Sequence, residues 1–451
     1  MKEKPYPLEA FFGAIINPFE RFQRETTSGG IILAVITICT LLIANSPWGQ
    51  TFQHFWEKSL SITFDSWTIE RSLQEWINEG LMSLFFLLVG LELKREILVG
   101  ELSSFQNAIL PVAGAAGGMV MPALIYHSVN PSGVEAIGWG IPMATDIAFA
   151  VGILVLLSRR IPRNLIIFLV ALAIVDDLGA VLIICLFYTK SIDLTLVGIA
   201  SGLLLVLTLF NRGGIRHVLP YAVTGVLLWL ILLESGIHAT IAGIMLAFAI
   251  PARPFHTLLQ FDMRVEELKQ RFLAATLSDD DTGHPLSNHR ITAIAEDVKK
   301  TAKAIQPLLQ RLEHMLSPWV TFGVVPLFAF ANVGICFSAL NIEQLIVHPV
   351  TWGVIAGLVM GKFLGIAGAS WLAVKTKIAK LPTGMTWHHL LGAAWLAGIG
   401  FTMALFINQL AFTGNQTLLA AAKLGILFSS VISVVIGLSW LLSGTKKQNI
   451  Q

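Results

Sequence analysis

Apolar residues in this chain gather into long runs. These begin near Ile31, Gly80, Ala108, Val134, Asn164, Leu194, Val218, Gly236, Trp319, Pro349, Leu390 and Leu418. Runs of this kind cross a bilayer as helices, because backbone groups in lipid must be satisfied within their own segment. The pattern predicts an all-α integral membrane protein with twelve transmembrane helices. Glycines and a proline interrupt the fourth run at Gly138, Gly140 and Pro142, just before Thr145 and Asp146; glycines interrupt the eleventh at Gly398 and Gly400, just before Thr402. The breaks lie seven helices apart, an odd number, so they run in opposite directions. Helices 3–5 and 10–12 are therefore expected to be inverted-topology repeats with discontinuous helices 4 and 11. Such a pair points to a midplane substrate site in secondary transporters.

Two connections are long. Residues 46–76 are polar, with an alternating segment at 60–69 that suits an external β-hairpin. Residues 253–317 are charged and helical in pattern, with amphipathic stretches at 265–273 and 290–316. The acidic triplet Asp279, Asp280 and Asp281 between them lacks the spaced ligand set of a calcium loop and reads as solvated. Basic residues then set orientation. Lys2, Lys4, Arg21, Arg24, Lys94, Arg95, Arg159, Arg160, Arg163, Arg212, Arg216, the 253–311 cations, Lys375, Lys377, Lys380, Lys446 and Lys447 all fall on one side, against Lys58, Arg71 and Lys190 on the other. Both termini are expected to be cytoplasmic. The organisation is then an N-terminal segment at 1–30, a transporter domain at 31–441 and a tail at 442–451.

Composition agrees. Of 451 residues, 55% are hydrophobic and 13% charged, far from soluble domains, and a net charge of +2 gives no case for a nucleic-acid partner. Cys39, Cys185 and Cys336 sit in apolar runs without paired spacing and read as small core residues. No cleavable signal peptide is expected. No cofactor and no enzymatic constellation is indicated.

The chemistry concentrates in Asp176 and Asp177, adjacent carboxylates inside the apolar run 164–187. Carboxylates at membrane depth are costly, and two ionised neighbours repel. In one state they must share protons or hold a cation, so H⁺ and a hard cation such as Na⁺ or Li⁺ compete for the same oxygens. Asp146 suits both a fixed counter-charge at a half-helix N-terminus and an N-cap, and Thr145 offers oxygens to a passing cation. Lys362 lies beside a face of glycines at 353, 357, 361 and 365, which favours close helix packing and burial of the lysine. It neutralises either Asp176 or a half-helix C-terminus; the sequence admits both.

The stretches 140–150, 173–180, 234–240, 326–332 and 400–403 resemble the signatures of the NhaA-type sodium/proton antiporters. Inverted repeats are themselves a feature of that family, so the two breaks are not an independent sign. The resemblance implies a bacterial inner-membrane protein exchanging Na⁺ or Li⁺ outward for about two H⁺ inward, electrogenically. It implies that Asp176 and Asp177 carry ion and protons, with Asp177 the more direct ligand, that Asp146 and Thr145 flank the site, and that Lys362 matches an essential lysine. It further implies activation by alkaline pH through Glu92, Arg95, Glu96, Glu313 and His314, with His238 matching another implicated histidine. Ser317 stands where members often carry a histidine, and the 253–310 loop is longer than theirs, which leaves the activation pH open.

Two other readings compete. An intramembrane aspartyl protease needs carboxylates on separate helices and usually a Gly-x-Gly-Asp motif, which is absent. A sodium-coupled solute symporter of similar fold needs a larger polar cavity and anion-binding residues. A homodimer joined through the segment 46–76 is a further hypothesis.

Overall fold

The computed structural model describes residues 28–65, 67–158, 160–189, 192–254, 257–277, 289–336 and 342–444. The N-terminal cations, Arg159, Lys190, the acidic triplet at 279–281, Lys446 and Lys447 lie outside them. Helices dominate, as a lipid environment requires. Helix α1 (Ser28–Ala44) is followed by α2 (Gly49–Glu57), which turns away by 110°. Strands β1 (Ser59–Phe64) and β2 (Trp67–Ser72) pair antiparallel with Ile62 opposite Ile69. Asp65 makes the turn in the left-handed region, which aspartate tolerates. The period-two alternation at 60–69 accounts for this hairpin.

Ser72 then opens a helical turn with a capping box, its N–H donating to Glu75 Oε2 at 2.7 Å. A π-helical segment, Trp76–Leu81, leads into α3 (Met82–Val99). The chain continues through α4 (Phe105–Val129), a 3₁₀ segment (Val134–Met143), α5 (Ile147–Leu156), α6 (Arg163–Phe187), α7 (Leu194–Arg212), α8 (Val218–Glu234) and α9 (Ile241–Ala249). The connection after α9 holds α10 (Leu258–Leu277) and α11 (His289–Ile305), which pack on each other. Then follow α12 (Leu308–Trp319), α13 (Val325–Asn332), α14 (Pro349–Ala356), α15 (Lys362–Lys375), α16 (Trp387–Leu396), α17 (Phe401–Ala411) and α18 (Gln416–Gly444).

Among the described residues, seven helices are long and apolar enough to cross a membrane, or up to nine if each bent pair counts as one. The twelve apolar runs exceed that number for local reasons. Helix α3 carries Glu92, Lys94, Arg95 and Glu96 in its second half, α8 is 17 residues long, and α9 is only nine. The cysteines also differ from expectation: Cys336 is buried, Cys185 half-buried and Cys39 exposed.

The glycine face of the 349–375 segment packs against α4. Gly357 meets Pro142 and Pro122, and Gly361 meets Pro122. Gly365 and Gly117 approach so closely that a methyl group on either would run into the carbonyl of the other. Backbone cannot give way as a flexible side chain can. Gly365→Val is therefore expected to lower stability by about 1–3 kcal/mol or more, read as a fall in the unfolding temperature of the purified protein. An unchanged temperature would mean the seam is looser than its geometry indicates.

Candidate functional site

Both helix breaks occur where the sequence removes helical support. Pro142 lacks an N–H, and the chain is extended at Ala144 before Asp146 restarts it as the N-cap of α5. In the second break, a Cβ on Gly400 would sit 3.0 Å from Ala144 O, and one on Gly398 would sit 2.6 Å from Leu358 O. Glycine lets the second break lie this close both to the first break and to the 357–361 segment.

The two broken segments cross through main chain and side chain together. Asp146 N–H donates to Ile399 O at 2.6 Å, and Thr145 Oγ1 donates to Ala397 O at 3.0 Å. The Asp146 carboxylate then serves two half-helices at once. Its Oδ1 accepts from Phe149 N–H at 3.1 Å in the first turn of α5, while Oδ2 accepts from Thr402 N–H at 2.9 Å and Thr402 Oγ1 at 2.6 Å at the start of α17. Two helix N-termini, each positive, converge on one buried anion. Counter-charge and N-cap are thus the same arrangement.

Asp176 and Asp177 are fully buried on α6, about 100° apart around its axis. That angle separates their surroundings. Asp176 forms an ion pair with Lys362, also fully buried, and Thr145 lies against the same carboxylate. Lys362 is delivered by a π-helical segment, Gly357–Gly361, whose extra residue per turn offsets the helix just before it. Neither oxygen of Asp177 takes a hydrogen bond among the described residues. The charges that face Asp177 are acidic Asp176, Asp146 and Glu92 and basic Lys362.

Asp177 sits at the foot of a cavity of about 380 Å³ that also exposes Glu92, Asp146, Ser317 and Thr402. An unpartnered carboxylate reached by a largely apolar cavity with a few oxygen groups in its wall has room for a small cation or a proton. Oxygen ligands stand around it, with no soft nitrogen or sulfur donor among the five residues named, and hard cations prefer such sets.

Further along α3, Arg95 pairs with Glu96 at 3.1 Å and with Glu313 of α12 at 3.3 Å. Glu313 is buried, whereas its neighbour His314 is exposed. Glu92 joins this cluster to the cavity. His238 does not belong to it: its Nε2 contacts Tyr188 O at 3.1 Å, past the opposite end of α6 from Arg163. Helix α9 runs alongside α3, with Gly243 against Leu87 and Gly90 against Ala247, so His238 lies a full helix length from Arg95.

Three residues take roles that the sequence reading did not give them. Thr402 binds Asp146 twice, and the one sign of it was the threonine that follows each interruption. Lys94 donates to Phe248 O at 2.7 Å and to Ile250 O, capping α9 rather than facing a carboxylate. Ser317 opens onto the cavity of Asp177, so the departure at that position touches the site itself.

The chain matches the family described as Na⁺/H⁺ antiporter 1 over residues 20–441. It is 57% identical over 443 residues to a protein of Syntrophobacter fumaroxidans named Na(+)/H(+) antiporter NhaA, covering 98% of this chain and 94% of that one. A protein of the same name in Acidithiobacillus ferrooxidans is 54% identical, covering 96% of this chain and 99% of its own. One named Na(+)/H(+) antiporter NhaA 1 in Saccharophagus degradans is 44% identical, at 99% and 96% coverage.

Proposed function

This chain belongs to the Na⁺/H⁺ antiporter 1 family, a multi-pass membrane transporter family, and from that premise we propose a mechanism for its exchange. Asp177 is the exchange site. The observation that carries this reading is the pair of unpartnered oxygens at the foot of the 380 Å³ cavity. A cation entering the cavity meets Asp177 and displaces its proton, because one carboxylate facing acidic neighbours cannot favour both. Asp176 carries the second proton when its pair with Lys362 opens. Asp146 holds the crossing of the half-helices in register, and Thr145 adds oxygens beside the path.

With about two H⁺ per Na⁺, one net charge crosses per cycle, contributing about 2.3 kcal/mol per 100 mV. The membrane potential then drives Na⁺ out even without a pH gradient. Li⁺, with the same charge and preference for oxygen, is a second substrate. The protein lies in the bacterial inner membrane with both termini cytoplasmic, and α3, α8 and α9 cross it beside nine apolar spans, each bent pair counting as one, giving twelve. Residues 105–187 and 349–444 form the inverted repeats, with the hairpin outside, where it joins a homodimer. A symporter gains nothing from these observations, since the charged residues that line the cavity, Glu92, Asp146 and Asp177, are all acidic and offer a solute no anion site.

Activation by pH acts through the Arg95 cluster at the mouth of the cavity. Glu313→Gln is expected to release Arg95 from α12, leaving it with Glu96, and displace the pH at which transport switches on, with the maximal rate kept. A pH–rate profile identical to the parent would exclude the cluster as a sensor. The exchange itself is tested in liposomes with an acid interior, where external Na⁺ or Li⁺ should dissipate the gradient and valinomycin with K⁺ should speed it by removing the opposing potential. Dissipation indifferent to charge compensation would contradict the two-for-one stoichiometry.

A further inference from the structure

Lys423 lies two turns into α18, about 10 Å along the axis from its start. An ionisable side chain inside a span needs a partner or marks a ligand. Its ammonium donates to Gly334 O at a long 3.4 Å and forms no ion pair among the described residues. The exchange mechanism does not use it: Gly334 follows α13, whose far end begins beside the Asp177 cavity at Val325, so Lys423 stands at the other end of that helix.

Lys423 faces a separate cavity of about 150 Å³, at whose rim Gln53, Gln409 and Gln416 add side-chain amides, each with two N–H donors. Gln74 lines it too, but its amide is committed to Asn332 Oδ1 at 2.9 Å. Glu57, the acid of this cavity, is exposed and pairs with His54 at 3.2 Å. The first turn of a 29-residue helix, the positive end of its dipole, forms one wall. Each amide also offers an acceptor oxygen, but Glu57 is engaged with His54, so the half-buried Lys423 ammonium has donors and a helix N-terminus around it and no acid paired with it among the described residues. The volume admits about five waters at about 30 Å³ each, enough for a small ion and part of its shell but not for a phosphate ester with its substituent.

We propose that this cavity binds a small inorganic monoanion, chloride being the natural probe, held by the Lys423 ammonium and the glutamine amides around it. Binding neutralises Lys423 and ties α18 to the end of α13. The site is independent of the role given to Asp177.

The test uses the full-length purified protein in detergent, its unfolding temperature followed while chloride replaces gluconate at constant Na⁺ and ionic strength. The parent should shift upward and saturate; Lys423→Met should lose the shift, and Lys423→Arg should keep it. Sulfate, being larger and divalent, should not reproduce it. Should Lys423→Met fail to fold, ³⁵Cl line broadening by the parent, set against Gln409→Leu, reads the same site, with weaker broadening expected in the variant. No chloride shift in the parent, an equal shift in Lys423→Met, or an equal shift with sulfate would each overturn the proposal.

Discussion

Asp177→Asn should abolish cation-driven proton movement while leaving the protein folded. The amide keeps the size of the carboxyl group but neither ionises nor attracts a cation, so the step in which Na⁺ displaces H⁺ has no site. A loss of more than about 100-fold in rate corresponds to about 2.7 kcal/mol of binding or barrier, which one missing charged ligand in a dry site readily supplies. Because neither Asp177 oxygen holds a hydrogen bond among the described residues, the substitution breaks no contact seen there. Removing a carboxylate that faces three other acids should leave the unfolding temperature unchanged or raised. Transport in proteoliposomes and thermal unfolding together check both halves. A variant that unfolds early would show that Asp177 has a structural partner, and its inactivity would then carry no weight.

Lys362→Met should behave in the opposite way. Here the partner is present, and removing it leaves Asp176 charged or proton-laden with no counter-ion in a fully buried place. Breaking one side of a buried pair costs about 3–5 kcal/mol, so the unfolding temperature should fall clearly. The double variant Lys362→Met with Asp176→Asn removes both charges and should recover much of that loss, since a neutral pair carries no uncompensated charge. A double variant no more stable than the single would show that Lys362 supports the fold through its packing against α4 instead. Gly118, 3.7 Å from Lys362 Cδ by its notional Cβ, is the neighbour through which that packing would act.

The two results differ because the adjacent aspartates differ, and their own stretch of sequence does not show that; only the family resemblance set Asp177 apart. Their presence in an apolar run was legible, because charge at membrane depth is rare and stands out. Their inequality depends on a lysine 186 residues away and on a cavity built by α1, α3, α5, α12 and α17, which no local pattern encodes. Thr145 and Asp146 were legible as a cap after Pro142, but the two donors from Thr402 come from 256 residues away. The hairpin at 59–72 was readable from its alternation, whereas the π-helical segments were not. One added residue in a turn leaves the apolar pattern almost unchanged, yet Gly357–Gly361 decides where Lys362 points. His238 was grouped with Glu92 and Glu313 by family resemblance, and the fold sets it at the other end of α9. The helix count diverges for a simpler reason: the nine-residue α9 is too short, and α3 too charged, to pass as a span by length and composition.

The most direct test of competition at Asp177 measures protons rather than transport. Purified protein in weakly buffered solution with a pH indicator is titrated with Na⁺ at alkaline pH, alongside Asp177→Asn. The parent should release protons as Na⁺ binds, with half-saturation rising as the pH falls, and the variant should release none. Na⁺ binding by the parent without proton release, or equal release from the variant, would contradict the claim that cation and proton share this carboxylate.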